Sequence, residues 1–373
     1  MIKIEVLKYF FILTEVNNFS FMSDSELSNN KHLLVPTRII GPIKILSNLN
    51  NFIEENIKVP MSTFETSLWH SASRGAKLSR LTSGIKVNVI DDNMTRSILL
   101  ETKSLEDSYK LKLELINRKK DIDEVISKTS HYAKLIDMHF EFVGTLVFIR
   151  FKFTTGNASG HNMVTKSANA VAEWIIENYK NIDYVSVSGN ICVDKKVSAI
   201  NSILGRGKNV TAEIVIPKTL CEEILHTTPE AIVNINTKKN LIGSILAGSI
   251  CSANAHYANM LLACFLATGQ DAGNIIEGSQ GITFCKVLQD GSLYFSVNCP
   301  NIIVGTIGHG KDLNYTKNNL ELMGCLNNEE SSKKLAGIIV ATVLCGELSL
   351  LAAQVHGGSF VKAQERIERK KRV

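Results

Sequence analysis

The strongest candidates for chemistry in this chain lie in one run, Ser188-Gly-Asn-Ile-Cys-Val-Asp-Lys-Lys196, continued by Ala199-Ile-Asn201 and Gly205-Arg-Gly-Lys208. Two adjacent ammonium groups, Lys195 and Lys196, repel each other, so a carboxylate partner or an anionic ligand is expected beside them. Three further segments look built for a site. Val59 to Gly75 sets Glu65 beside a polar run with Ser71, Ser73 and Arg74, where a capping or salt-bridging glutamate is an equal reading. Phe153 to Met163 holds Gly156, Asn157, Ser159, Gly160, His161 and Asn162 just before a predicted helix. A glycine-rich turn feeding a helix start offers free N–H groups to a phosphate, and a plain capped turn is the alternative. Ala247 to Asp271 carries Asn254, His256 and Asn259 and ends on Asp271, as a helix cap or a site acid.

The bulk composition bounds what these residues serve. The 373 residues, 45% hydrophobic and 21% charged, describe a globular chain of two or three domains. A net charge of +5 suits an anionic small ligand and argues against nucleic acid, which wants a clustered basic face. The basic cluster from Arg366 to Arg372 reads as a solvated tail in preference to a phosphate site. None of the eight cysteines forms a C-x-x-C pair, so no metal is expected, and reduced thiols in apolar stretches suit a cytoplasmic protein. The apolar run Tyr9–Leu13 is too short to span a membrane. Leu335–Val355 is long enough but contains Glu347, so a buried core helix is expected and no membrane segment.

The elements that must position these residues follow from periodicity. Residues 1–34 read as a polar arm, and a second unit begins near Val35. Strands are expected at Gly84–Ile90, Tyr132–Phe142, Thr145–Phe153 and Tyr184–Val187. Helices are expected at Leu105–Ile126 and at Asn162–Tyr179, the latter with Met163, Val164, Ala168, Val171, Ala172 and Ile175 on one face. Two helices on a small antiparallel sheet give a split β-α-β arrangement. Farther on, long helices are expected at 241–268 and 333–354, with strands at 210–215, 282–288 and 292–297 and a turn at Gln289-Asp-Gly291. No G-x-G-x-x-G follows a strand and no P-loop occurs, so a Rossmann fold is not expected.

The run from Ser188, with Ala-Ile-Asn and Gly-Arg-Gly-Lys after it, resembles the central motif of 3-hydroxy-3-methylglutaryl-CoA reductases, nearer to the class that includes the eukaryotic enzymes. The other three segments match in the same order, as do Lys238-Lys239-Asn240-Leu241, Gly305-Thr-Ile-Gly308 and Cys345-Gly-Glu-Leu-Ser-Leu350. The resemblance covers roughly residues 35–365. It implies an α+β fold with a large substrate-binding and dimerisation domain, 35–84 and 188–373, and an inserted ferredoxin-like dinucleotide-binding domain, 85–187. It implies reduction of a thioester to mevalonate and CoA with two NADPH, at a site between two subunits of a homo-oligomer. By position, Lys195 stabilises the oxyanion, Glu65 supplies a proton and Asp271 tunes both. Arg96, Ser188, Asp194, Lys196 and Lys239 hold the hydroxymethylglutaryl group. Ser71, Ser73, Arg74, His256 and Asn259 meet CoA or substrate, and the 156–162 turn with His131 and Gly308 meets the nucleotide.

Four positions depart from the family pattern. Asn157 stands for its aspartate. His131 stands where an arginine often meets the 2′-phosphate, which admits NADH as well as NADPH. His309 replaces a glycine near the cofactor and is a candidate proton donor. Gln364 replaces the histidine thought to protonate the leaving thiolate, and an amide is no general acid near neutral pH. A slow enzyme is therefore expected, and a degenerate homologue that binds CoA esters is the competing reading.

Overall fold

A computed structural model describes residues 34–49, 53–326, 328–358, 361 and 365. The expected arm up to residue 33, the run Tyr9–Leu13, Gln364 and the basic tail lie outside the described residues.

Strands β1 (Thr37–Ser47) and β2 (Ile53–Ser62) pair antiparallel, and helix α1 (Ser67–Leu81) follows. Strand β3 (Ile85–Glu101) then does two jobs. Its first half pairs with β1 in parallel and with β7 (Gly207–Ile216) antiparallel. From Met94 on it pairs with β5 (Leu146–Thr154) and β6 (Asp183–Val187). Charges fasten the changeover: Lys152 lies 2.7 Å from Asp91, and Lys208 3.0 Å from Asp92.

Helices α2 (Leu105–Asn117), α3 (Lys119–Ser127) and α4 (His161–Asn178) and strand β4 (Lys134–Val143) complete this second region. Its core joins Ile98, Leu111, Ile149, Phe151 and Val171. The expected face of α4 is buried at Val164, Ala168, Val171, Ala172 and Ile175. The expected single helix over 105–126 is two, parted at Arg118, which leaves helical geometry and ion-pairs with Asp121.

Past β7 come α5 (Pro229–Ile235), α6 (Tyr257–Ala267), the hairpin β8 (Ile282–Val287) and β9 (Leu293–Ile302), α7 (Asn314–Leu322) and α8 (Ser331–Gln354). The long path of the sheet runs β2-β1-β3-β7-β9-β8. Helix α8 is long and apolar enough to cross a membrane by composition, yet it is packed inside the protein against α1, α6 and the sheet. Contact is so close that a Cβ on Gly75 would lie 2.4 Å from the Cys345 Cα.

The expected long helix over 241–268 is overturned. Irregular chain from Ala247 to His256 separates short helical turns from α6. Two side chains draw the backbone out of the helix. Asn254 donates to the carbonyls of Ser279 and Gly281, and buried Glu347 accepts from the N–H groups of Ala255 and His256 at 2.6 and 3.1 Å.

Candidate active site

A cleft of about 720 Å³ opens between the start of α4, the loop after β6, the turn after α6 and the loop after β9. It brings together Arg96, Ser159, Gly160, His161, Asn162, Asp194, Lys195, Asp271, Gly308 and His309 from the sequence reading. Lys195 Nζ lies 2.6 Å from Asp271 Oδ2, which supplies the carboxylate that the paired lysines called for. Burial pushes the Asp271 carboxyl up, but the Lys195 ammonium and the Gly273 N–H outweigh it and hold it below the usual range. Both members are about half exposed, so the pair orients Lys195 more than it stabilises the fold.

The loop that presents Lys195 is strained. Asn190, Val193 and Lys195 all have positive φ, a conformation that persists only where the surroundings enforce it. Asn201 Nδ2 donates to the Val193 carbonyl at 2.7 Å, and the Lys195 N–H donates to buried Glu277 at 3.2 Å. Fully buried Arg206 donates to Asp194 at 2.7 Å and to the Thr95 carbonyl at 2.6 Å. Burial raises the Asp194 carboxyl, but Arg206, His161 and Arg96 together pull it below its ordinary value. Ser188 and Lys196 belong to the same loop: Ser188 Oγ accepts from the Asn190 N–H at 3.0 Å, and Lys196 donates to Asn190 Oδ1 at 3.3 Å.

Gly160 begins α4 with φ 90° and leaves its first turn without a side-chain cap. Asn157 faces elsewhere: it donates to the Asn328 carbonyl and accepts from the Ser332 N–H, tying the turn to the start of α8. His131 is exposed in the turn before β4, beside Tyr132, whose carbonyl accepts from Thr154.

The remaining predicted residues form a second group. Glu65 is exposed and accepts from Ser67 at 3.0 Å and Asn259 at 3.4 Å. The burial that a proton-donating carboxyl requires is thus not supplied within one chain. Asn259 lies near the start of α6 and Asp271 beyond its end, so roughly 12 Å of helix separates the two groups. The last turns of α8 organise this second group. Ser71 donates to the Gly346 carbonyl, Arg74 donates to Ser349, and Asn240, beside Lys239, donates to Glu347. His256 Nε2 is buried with no partner, and Ser73 is exposed.

Residues 32–369 match the sequence profile of hydroxymethylglutaryl-coenzyme A reductase. The chain is 39% identical to the 3-hydroxy-3-methylglutaryl-coenzyme A reductase of Aeropyrum pernix, covering 90% of this chain and 79% of that protein. It is 38% identical to that of Methanocaldococcus jannaschii, covering 94% and 88%. This chain belongs to the hydroxymethylglutaryl-coenzyme A reductase family. Its fold also matches the class II reductase of Streptococcus pneumoniae solved bound to NADPH, with TM-score 0.70 at 19% identity over 95% of this chain and 86% of that one.

Within this reductase-family chain, several working residues escaped the sequence reading. Arg206 was legible only as part of a motif; its burial between Gly205 and Gly207, both at positive φ, shows its task. Glu277, Gln270 and Lys311 carry no local signal, because their partners are distant in sequence. Among the described residues, no group of His, Cys, Asp and Glu is placed to hold a metal ion.

Proposed function

We propose that the chain reduces 3-hydroxy-3-methylglutaryl-CoA to mevalonate and free CoA, using two reduced nicotinamide nucleotides in the cytoplasm. The observation that carries this reading is the Lys195–Asp271 pair in a cleft beside the uncapped start of α4.

The cleft fits a dinucleotide. The free N–H groups of an 18-residue helix face it at Gly160 and His161, and such an end favours a pyrophosphate. A Cβ on Gly305 would lie 2.5 Å from the Ser159 nitrogen, so only glycine allows the two loops to approach. We place Gly156, Ser159, Gly160, His161, Asn162, His131 and Gly308 around the nucleotide, in a domain over 85–187, with Asn157 bracing that turn against the start of α8. NADPH is the expected nucleotide, with NADH admitted by His131.

The nucleotide supplies the hydrides, and the chain supplies charge and protons. Lys195 meets the thioester oxygen as negative charge develops, a preorganised electrostatic role. Asp271 holds it there. Arg96, Ser188, Asp194, Lys196 and Lys239 hold the hydroxymethylglutaryl group, and Ser71, Ser73, Arg74, His256 and Asn259 face CoA. Glu65 donates the proton to the carbonyl oxygen. Because Glu65 and Lys195 sit in separate groups, we infer that Glu65 of a second copy completes each site. Support comes from apolar side chains left in solvent, with Ile203, Ile245 and Leu246 each at least 75% exposed. Burial within such an assembly would also give Glu65 the desolvation a proton donor needs.

Proton delivery to the departing thiolate is the weak step, since Gln364 has no titratable proton. His309 lines the cleft and is the candidate substitute. The test follows substrate-dependent oxidation of NADPH and of NADH by the native chain, Gln364→His and His309→Ala. We expect turnover in the native chain, a rise of up to about 10²–10⁴ in Gln364→His, and a loss in His309→Ala. Binding of CoA esters without oxidation of either nucleotide would favour the degenerate-homologue reading instead.

A further inference from the structure

Lys311 reaches into the cleft from the loop after β9 and is 8% exposed. Its Nζ donates to the carbonyl of Gly269, two residues before Asp271. The two loops touch backbone to backbone there: a Cβ on Gly269 would lie 2.6 Å from the Gly310 oxygen. From the other end of the same loop, Gly305 accepts from Gln270 Nε2 at its carbonyl and donates its N–H to Gln270 Oε1, both at 3.0 Å. Both ends of loop 305–311 therefore grip residues 269 and 270, immediately before Asp271. The same loop grips the turn before α4, through Thr306 N–H to the Asn157 carbonyl at 2.9 Å and a bridge between Ala158 and Ile307.

A carboxylate held by one ammonium at 2.6 Å binds it tightly, yet Lys195 must turn toward a developing oxyanion during the reaction. A second cation near the carboxylate lowers the cost of that turn. We propose that Lys311 is a positioning residue of the reductase, fixing the turn that carries Asp271 and sharing its charge with Lys195. The inference rests on the reductase reading of the cleft.

The other charged or titratable groups lining the cleft are Arg96 on β3, His161 on α4, Asp194 and Lys195 on the loop after β6, Asp271, and His309 on Lys311's own loop. Burial pushes the Lys311 amine down to about 8, with Asp271 pulling it back upward. It is charged at neutral pH and loses that charge on mild alkalinisation.

The test compares the native chain with Lys311→Met and Lys311→Arg in the assay for hydroxymethylglutaryl-CoA-dependent nucleotide oxidation across the neutral and alkaline range. Lys311→Met is expected to lower kcat about 10–100-fold, the scale of a misplaced catalytic group, with KM for the thioester nearly unchanged. The native enzyme should lose kcat as pH rises through about 8, and Lys311→Arg should keep most of kcat without that alkaline fall. Competitive acetylation of lysines, read by mass spectrometry, needs no activity. It should show Lys311 titrating near 8, and lower in Asp271→Asn. An unchanged kcat and pH profile in Lys311→Met, or Lys311 acetylated in step with surface lysines, overturns the proposal. If Lys311→Met does not fold, the arginine variant and the labelling decide. A native chain inactive with both nucleotides defeats the reductase reading, and the labelling then still judges the Lys311–Asp271 coupling by itself.

Discussion

His161 Nε2 lies 3.7 Å from an Asp194 oxygen, a neighbour that by itself favours the charged imidazole. Burial and nearby Arg206 win instead, and push His161 from 6.5 down to about 4. The folded chain thus keeps this ring neutral where the unfolded chain protonates it. Between pH 6.5 and about 4 the unfolded state binds the extra proton, so stability falls on acidification through that window. The contribution is of order 3 kcal/mol at most, at 1.36 kcal/mol per unit. Urea midpoints of the native chain and His161→Gln, taken at both ends of the window, check it. The native chain should lose more stability on acidification than the variant; equal losses would remove His161 as the cause. Residues at this scale were unevenly legible. Lys195 and Lys196 stood out because like charges side by side demand a partner. Arg206, Glu277 and Lys311 did not, because what makes them matter is a partner far along the chain.

Helix α8 is the element on which the second group of site residues rests. Its Glu347, buried in an apolar helix, accepts from Thr283 and Asn240 side chains as well as from two backbone N–H groups. A charge at that depth is tolerable only with such a ring of donors. The approach of α1 at Gly75 leaves no room for a side chain. Gly75→Ala is expected to cost about 3 kcal/mol, the upper end for overpacking, since the methyl meets backbone rather than a movable side chain. The exposed neighbour Ser73→Ala should leave the denaturation midpoint nearly unchanged. Equal midpoints for both variants would contradict the packing. Regular elements such as α4, β5 and α8 were readable from apolar spacing alone. The break inside 241–268 was not, because Ala, Ile and Leu there spell helix locally, while Glu347 and Asn254 unmake it from outside. The strands within 37–62 were not readable because each run carries a proline, Pro42 and Pro60, which argues locally against a strand.

At the scale of the molecule, one chain presents two incomplete groups. Lys195 and Asp271 meet in the cleft, while Glu65 sits with Asn259 beside the end of α8. Family membership makes the reduction the natural use of both, and their separation makes an assembly of copies the natural way to unite them. Isologous pairing would then build two sites per dimer, each drawing on both chains. Subunit mixing tests this most directly. Glu65→Ala and Lys195→Met should each be nearly inactive with hydroxymethylglutaryl-CoA and NADPH. Co-expressed, they should recover about a quarter of native activity, because random pairing leaves one intact site in half of the dimers. A mixture as inactive as its parents, with both variants folded and assembled, would contradict a site shared between copies. Full activity in either single variant would contradict the roles given to Glu65 and Lys195.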